Sequence, residues 1–243
     1  MNLIIDVGNT RIKAAVFEKD SLVKQAVFTA KELVYQIEKI VTTYSISRGI
    51  VSSVSVVDQK ILKELHQLLP LMELNGDTKL PFENAYATPK TLGVDRIALV
   101  AAAVDKFNNK NVLIIDAGTC ITFDFVSADK KYEGGAISLG IQMRYKALNS
   151  YTAKLPLLEM KSGTHFIGNS TETSIHSGVV NGVLNEIKGV IKQYKSEKED
   201  LTVVLTGGDT IFLAKQLKSS IFANPNFVLE GLNTILIYNK EEC

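Results

Sequence analysis

The amino-acid sequence predicts an α/β protein built from two similar halves, and two observations lead to this prediction. The run LIIDVGNT at residues 3–10 returns as LIIDAGTC at residues 113–120. Each run is followed by further strand-like runs, and then by helix-like and strand-like runs in alternation. Repetition over half a chain, combined with this alternation, is typical of a duplicated α/β fold.

The first half opens as a three-stranded meander and continues with alternating helices and strands. Thr29 and Glu32 stand at the spacing of a capping box, which predicts a helix in LVYQIEKIVTTY. In order, the elements are LIIDV, RIKAAVF and SLVKQAVF as strands, that helix, GIVSSV as a strand, DQKILKELHQLL as a helix, LMEL as a strand and DRIALVAAAVDKF as a helix.

The second half repeats the meander, with ITFDFV and KYEGGAI as its second and third strands. Helices in SIHSGVVNGVLNEIKGVIKQY, a strand in LTVVLT, a helix in TIFLAKQL, a strand in NFVL and a last helix from Leu232 to about Tyr238 follow. We therefore expect an N-terminal lobe over residues 1–110 and a C-terminal lobe over residues 111–243.

Composition excludes several classes of function. The chain has 243 residues, of which 46% are hydrophobic and 22% charged, and this is enough for two compact lobes. A net charge of +1 argues against nucleic acid or an anionic membrane as the main partner. Two cysteines are too few for a disulfide framework or a zinc cluster, and no apolar run approaches the roughly 20 residues that span a bilayer. We expect a cytoplasmic protein.

An acid-glycine turn opens each half. Gly8 and Gly118 would let backbone N–H groups approach phosphate oxygens, while Asp6 and Asp116 would hold a cation that neutralises the phosphates. A single turn of this kind is equally well explained as a hairpin whose acid caps the turn, but the repetition favours a nucleotide site. Rossmann and P-loop glycine patterns are absent from the sequence, and the three histidines lack the spacing of metal ligands.

A third glycine turn follows the strand-like run LTVVLT. Gly207 and Gly208 precede Asp209 and a helix-like run. Taken alone, this turn is better explained as a strand-to-helix connection with Asp209 as the N-cap. Together with the two acid-glycine turns, it favours nucleotide binding.

The stretch YATPKTLGVDRIALVAAAV at residues 86–104 has two interpretations. Asp95 could cap an apolar helix, with Arg96 as a solvated residue of its first turn. An arginine there opposes the helix dipole, however, and an acid beside an arginine suits a substrate that carries a hydroxyl and a carboxylate. Asp95 would accept the hydroxyl proton, and Arg96 would bind the carboxylate through two N–H groups.

This organisation resembles the superfamily of actin-like ATPases and sugar kinases, whose paired ribonuclease H-like lobes hold a nucleotide between them. Over its whole length the chain resembles one family, the type III pantothenate kinases, which use ATP to phosphorylate pantothenate in the first step of coenzyme A biosynthesis. The motifs that carry the resemblance are DVGNTRIK (6–13), YATPKTLGVDR (86–96), DAGTC (116–120), GGAISLG (134–140), TAKLP (152–156), GNSTETSIHSG (168–178) and TGGD (206–209).

The resemblance implies a role for each matched residue. Asp95 would be the general base, Asp116 would hold K⁺ or NH₄⁺, and Thr171 would reach the substrate, from the partner subunit of a homodimer. The simple alternatives are a half-buried aromatic for Tyr86 and a helix N-cap for Thr171. The implied binding residues are Asp6, Val7, Gly8, Asn9, Thr10, Arg11, Ile12 and Lys13 for the phosphates of Mg²⁺-ATP, Thr119, Gly207 and Gly208 for the rest of the nucleotide, and Tyr86, Gly93, Val94, Asp95, Arg96 and Thr171 for pantothenate.

The helix-like segment 174–194 predicts a dimer helix. Gly178, Gly182 and Gly189 each cost a helix roughly 1 kcal/mol relative to alanine, and close packing at a dimer interface would offset that cost. The second candidate function is a non-catalytic nucleotide-binding regulator of the same fold, which would not need the acid at Asp95. A sugar kinase would need a longer chain with insertions for substrate recognition.

Overall fold

The computed structural model describes residues 1–8, 11–53, 58–217 and 220–240. Within these ranges the chain forms eleven strands and eight α-helices. The strands are β1 (Asn2–Val7), β2 (Ile12–Glu18), β3 (Ser21–Phe28), β4 (Arg48–Ser53), β5 (Leu71–Glu73), β6 (Glu83–Asn84), β7 (Val112–Ala117), β8 (Cys120–Val126), β9 (Lys131–Leu139), β10 (Thr202–Thr206) and β11 (Phe222–Ala223). The helices are α1 (Leu33–Thr43), α2 (Gln59–Leu68), α3 (Val94–Lys106), α4 (Ile141–Ser150), α5 (Thr171–His176), α6 (Gly182–Glu197), α7 (Thr210–Leu217) and α8 (Phe227–Tyr238).

The chain divides into two compact units. Unit 1 comprises Met1–Asn108, Lys130–Tyr132 and Asn226–Cys243, and unit 2 comprises Asn109–Asp129 and Glu133–Pro225. This division differs from a split into residues 1–110 and 111–243 chiefly at the end of the chain, because α8 packs within unit 1. In the part of the chain that the structure describes, no helix is long and apolar enough to cross a membrane.

Unit 1 is built on a five-stranded sheet in the order β3-β2-β1-β4-β5, with β1 antiparallel to β2 and parallel to β4. Helices α1 and α2 cover one face, where Leu3 and Ile5 of β1 join a cluster with Ile37 and Leu65. Helix α8 packs against β1 and β4, α3 packs against α8 and β4, and Ile4 is fully buried. The central strand is therefore apolar on both faces, which explains the continuous run LII ahead of the first acid.

Helix α8 replaces an element that the sequence predicted wrongly. The run NFVL, predicted as a strand, lies at the start of α8. The strand in this part of the chain is β11, which ends before NFVL begins. Phe227, Leu229 and Leu232 are completely buried, and Gly231 lies against the Ala98 carbonyl of α3. A short apolar run has no decisive periodicity, so burial against α3 determines the helix.

Unit 2 contains β11, β10, β7, β8 and the greater part of β9, in that order across its sheet. Strand β7 is antiparallel to β8 and parallel to β10, so it occupies the place that β1 has in unit 1. Leu113 and Ile115 of β7 form one core with Val183 and Ile187 of α6. The repeated sequence thus folds into repeated meanders, as predicted.

Candidate active site

The first acid-glycine turn lies at the end of β1. Asp6 is in register with Lys13 of β2 and with Ser52 of β4. The Gly8 N–H donates to the Arg11 carbonyl at 3.2 Å, so the two sides of the turn meet. Asn9 and Thr10, two of the predicted phosphate-binding residues, lie outside the described residues.

Side chains of this turn differ in what they can offer a ligand. Val7 and Ile12 are buried in the core of unit 1, so only their backbone groups could reach a phosphate. Arg11 is exposed and Lys13 is half-buried. The two cationic side chains of the motif are therefore accessible to a ligand.

The carboxylate of Asp6 is held in an environment that disfavours its charge. Burial raises the pKa of Asp6 above its usual value, and the nearby charge of Asp95 raises it further. The Ser52 hydroxyl, which donates to Asp6 Oδ1 at 3.0 Å, and the charge of Lys13 act in the opposite direction. A cation bound beside Asp6 would relieve the unfavourable balance.

The amino end of α3 presents Asp95 and Arg96. The helix begins at Val94 with Gly93 as its N-cap, so Asp95 is not the N-cap that the simple interpretation required. Asp95 Oδ1 accepts a hydrogen bond from the Arg96 N–H at 2.9 Å. A Cβ at position 93 would stand 2.4 Å from Asp95 Oδ1, so glycine lets this carboxylate keep its present position.

Arg96 is buried, which contradicts the interpretation of a solvated first-turn residue. It is 5% exposed, and its Cζ atom lies 5.6 Å from the ring centroid of Tyr86 and 6.0 Å from that of Tyr132. The two tyrosine rings stack with centroids 6.0 Å apart. Tyr132 could not be predicted as a neighbour of Arg96, because it stands in an ordinary strand pattern and no spacing in the sequence relates it to Arg96.

The second acid-glycine turn lies at the end of β7 in unit 2. Asp116 is in register with Thr122 of β8 and with Thr206 of β10. The Gly118 N–H donates to the Cys120 carbonyl at 2.9 Å, and Thr119 at the tip of the turn is exposed. This turn therefore occupies the same place as the first but is one residue shorter, because Ala117 pairs with Ile121 whereas Val7 pairs with Ile12.

The glycine turn after β10 packs against the second acid-glycine turn and is hydrogen-bonded to it. Gly207 has a φ of +93°, and a Cβ there would lie 2.3 Å from both the Ala117 carbonyl and Asp116 Oδ1. The Asp209 N–H donates to the same carbonyl at 2.9 Å, and burial raises the pKa of Asp209. Gly208 is exposed and lines a cavity of about 420 Å³.

Comparison with known proteins identifies the family. A family model described as type III pantothenate kinase matches residues 2–193. This chain belongs to the type III pantothenate kinase family.

Relatives in the type III pantothenate kinase family match the whole chain. One from Christiangramia forsetii, named type III pantothenate kinase, is 51% identical over 243 residues and the match covers 100% of both chains. Another with the same name, from Flavobacterium psychrophilum, is 46% identical over 241 residues, covering 99% of this chain and 100% of its own.

Solved structures with the same fold confirm the predicted actin-like ATPase and sugar kinase architecture. A glucokinase from an Antarctic psychrotroph matches with a TM-score of 0.53 at 11% identity, covering 98% of each chain. A structure described as a Baf family transcriptional activator from Campylobacter jejuni matches with a TM-score of 0.66 at 20% identity, covering 98% of this chain and 99% of its own. At these identities the likeness shows the fold alone.

Thr171, the remaining residue of the predicted type III pantothenate kinase site, is exposed at the first position of α5. Ser170 is the N-cap and shares a capping box with Thr173, so the simple interpretation of Thr171 as the N-cap is wrong. Thr171 belongs to unit 2, whereas Asp95 belongs to unit 1. Its hydroxyl is not needed to begin the helix.

Proposed function

We propose that this chain transfers the γ-phosphoryl group of ATP to the primary hydroxyl of pantothenate and forms 4'-phosphopantothenate. Membership of the pantothenate kinase family fixes the reaction class, and one observation carries the assignment of residues. Asp95 and Arg96 stand side by side at the amino end of α3, and the Asp95 charge acts on Asp6 at the first acid-glycine turn. Substrate-binding and phosphate-binding residues therefore influence one another within unit 1.

Pantothenate has the two groups that Asp95 and Arg96 can recognise. Asp95 would accept the proton of the hydroxyl as its oxygen attacks phosphorus, and Arg96 would donate two hydrogen bonds to the carboxylate. Gly93 and Val94 would contribute the backbone of this loop. The Tyr86 ring, which is half-buried beside Arg96, would line the pocket.

The first acid-glycine turn suits the phosphates and Mg²⁺ of the nucleotide. Mg²⁺ in kinases is usually held by one or two carboxylates together with substrate phosphates, and Asp6 is a carboxylate whose burial disfavours an isolated charge. Among the described residues, no cluster of three His, Cys, Asp or Glu forms a complete metal site. The magnesium ion would neutralise phosphate charge, while Lys13 and the backbone from Val7 to Ile12 would orient the phosphates.

The turns of unit 2 suit the remaining parts of the nucleotide and a monovalent cation. Thr119, Gly207 and the exposed backbone at Gly208 would contact the nucleotide. Asp116 would hold K⁺ or NH₄⁺, and Thr206 fits that role as a neighbour, because its buried hydroxyl makes no hydrogen bond within the described part of the chain. The bound cation would supply positive charge near the nucleotide.

A homodimer would bring Thr171 of one subunit to the pantothenate site of the other. A Cβ at Gly178, Gly182 or Gly189 would meet no described atom of this chain within 4 Å, so these glycines leave space along the segment predicted as a dimer helix. Phe166 and Ile167, which precede α5, are 79% and 80% exposed. An apolar surface of this kind suits a protein interface.

The decisive experiment measures product formation rather than ATP loss alone. Purified protein with ATP, Mg²⁺ and K⁺ should form 4'-phosphopantothenate, detected by mass spectrometry, and ADP release should depend on pantothenate. Replacing K⁺ by Na⁺ should abolish most of the activity, and equal rates in both salts would reject the role of Asp116. Nucleotide binding without any product would favour the non-catalytic regulator.

The cytoplasmic location stays a prediction from composition. Cys120 is a free thiol, half-buried in unit 2. Fractionation of the native host, with the activity recovered in the cytosolic fraction, would test it.

A further inference from the structure

Tyr132 is a completely buried residue whose ring lies against the guanidinium proposed to bind pantothenate. Its exposure is 0%, and Arg96 Cζ lies 6.0 Å from its centroid. Tyr86 presents a second ring to the same guanidinium at 5.6 Å. A guanidinium is planar and stacks on aromatic faces, so two rings restrict its orientation more than either would alone.

Backbone pairing determines where the two rings lie. Strand β6 pairs in parallel with the first residues of β9, with Asn84 opposite Tyr132. The Ala85 N–H donates to the Tyr132 carbonyl at 3.1 Å, and the Tyr86 N–H donates to Asn84 Oδ1 at 3.1 Å. The rings then stack at an interplanar angle of 20°. This arrangement is made by the chain itself and requires no substrate.

Phe82 supports the same ring from another side. Its centroid lies 6.4 Å from that of Tyr132, and the two rings meet edge to face at 75°. Phe82 is itself buried in unit 1. Tyr132 is therefore held by its backbone and by a neighbouring ring, so it can hold a third group in turn.

The burial of Arg96 gives this support a consequence for binding. Arg96 is 5% exposed, so its guanidinium has little water around it. The electrostatic attraction of the aromatic faces for the positive charge partly replaces the lost hydration. Orienting the guanidinium in advance reduces the conformational freedom that is lost when a carboxylate binds. A loosely held arginine at the same place would bind the same carboxylate more weakly.

We propose that Tyr132 is a positioning residue for pantothenate. With Tyr86, its ring holds the Arg96 guanidinium in the orientation that binds the substrate carboxylate, and it acts through Arg96 without contacting substrate. The proposal rests on the role of Arg96 given under the proposed function. It predicts an effect on pantothenate and none on ATP.

The first test compares Tyr132→Leu, Tyr132→Phe and a matched control, Phe227→Leu. Phe227 is a completely buried aromatic of unit 1 that packs against Phe107 at the opposite end of α3. Tyr132→Leu should raise the KM for pantothenate about tenfold, with kcat and the KM for ATP near wild type. Tyr132→Phe keeps the aromatic face and should stay near wild type, and Phe227→Leu should lower Tm without changing the KM for pantothenate.

A second test keeps the shape of the ring and therefore the fold. Phenylalanine with one, two or three ring fluorines at position 132 weakens the negative face of the ring in steps. The KM for pantothenate should rise with each fluorine, which a purely structural role would not produce.

Three results would overturn the proposal. These are a wild-type KM for pantothenate in Tyr132→Leu, an equal rise in the KM for ATP, and a KM that does not respond to fluorination. Wild-type protein without any pantothenate-dependent turnover would instead reject the proposed function, so the two failures are distinguishable.

Discussion

At the scale of single residues, Asp6 and Asp95 come from different motifs but act on each other's charge. Asp95 contributes to the raised pKa of Asp6, and Lys13 opposes that effect. Two neighbouring carboxylates disfavour each other's ionisation, and cations close to them lower the free energy of the state in which both are ionised. Removing the charge of Asp95 should mainly affect catalysis, whereas removing that of Asp6 should also affect stability, so the two acids can be tested separately.

Replacing Asp95 by asparagine should remove the base and keep the binding site. The side-chain amide oxygen of the asparagine can still accept the Arg96 N–H that Asp95 Oδ1 accepts at 2.9 Å, so the start of α3 is preserved. Because a general base contributes roughly 10²–10⁴-fold, Asp95→Asn should lose that factor in kcat. Calorimetry should show pantothenate binding close to wild type.

Asp105→Asn is the matched control for Asp95→Asn, because Asp105 is an exposed aspartate near the other end of α3. Its kcat should equal that of the wild type. Near wild-type kcat in Asp95→Asn would eliminate Asp95 as the base and leave catalysis to the phosphate-binding turns.

Replacing Asp6 by asparagine should stabilise the nucleotide-free protein while abolishing phosphoryl transfer. Burial raises the folded-state pKa of Asp6, so the folded protein binds the proton more tightly than the unfolded chain does. The favourable contribution of protonated Asp6 is present in acid and is lost as pH rises through the raised pKa. At neutral pH, each 1 kcal/mol gained in Asp6→Asn would raise Tm by roughly 2–4 °C.

The pH dependence separates this effect from simple repacking. The difference in Tm between Asp6→Asn and wild type should be small in acid and grow as pH rises. Thermal unfolding of both proteins without nucleotide, from acid to neutral pH, measures it. A difference that stays constant or shrinks as pH rises would contradict the role of burial.

At the scale of elements, the sequence predicted what depends on local signals. The capping box of Thr29 and Glu32 is present ahead of α1, where the Thr29 N–H donates to Glu32 Oε2 at 3.0 Å. The acid-glycine turns lie at the ends of β1 and β7, as predicted. The helix in NFVL and the contact of Tyr132 with Arg96 were not predictable, because they depend on packing between segments far apart in the chain.

Gly207 and Gly208 are adjacent glycines whose replacement by alanine should affect stability differently. At Gly207 a Cβ would face the Ala117 carbonyl and Asp116 Oδ1 with a φ of +93°, whereas at Gly208 it would meet nothing within 4 Å. Gly207→Ala should therefore destabilise the protein by about 1–3 kcal/mol or more. Gly208→Ala should leave the free energy of unfolding nearly unchanged, and urea titration measures both.

The same pair tests the proposed nucleotide contact. If the backbone at Gly208 approaches adenosine, Gly208→Ala should raise the KM for ATP while stability and the KM for pantothenate stay unchanged. Equal stability losses in the two variants would mean that the turn after β10 adopts another conformation in solution.

At the scale of the whole molecule, duplication was readable from the sequence, but the end of the chain was not. Asp6 and Asp116 mark the repeat, and both lie at the end of a central strand. Residues 226–243 nevertheless join unit 1 rather than unit 2. The order of elements along the chain cannot reveal that α8 belongs to unit 1, because its place depends on packing against α3, a helix of that unit.

A shared site in a homodimer can be tested by mixing two inactive variants. Thr171 is exposed at the start of α5, so Thr171→Arg should fold and should block the pantothenate site that Thr171 reaches. Asp95→Asn removes the base. If Thr171 serves the partner's site, a mixed dimer contains one site in which both changes coincide and one that is intact.

Co-expression of Asp95→Asn with Thr171→Arg should then restore about a quarter of wild-type activity, because about half of randomly paired dimers are mixed and each has one working site. Light scattering establishes the dimer, and each variant alone serves as the inactive reference. If Thr171 instead served the site of its own subunit, every site would carry one of the two changes and mixing would restore nothing. Recovery of activity therefore requires both a dimer and a Thr171 that crosses to the partner, whereas a fully active monomer would exclude both.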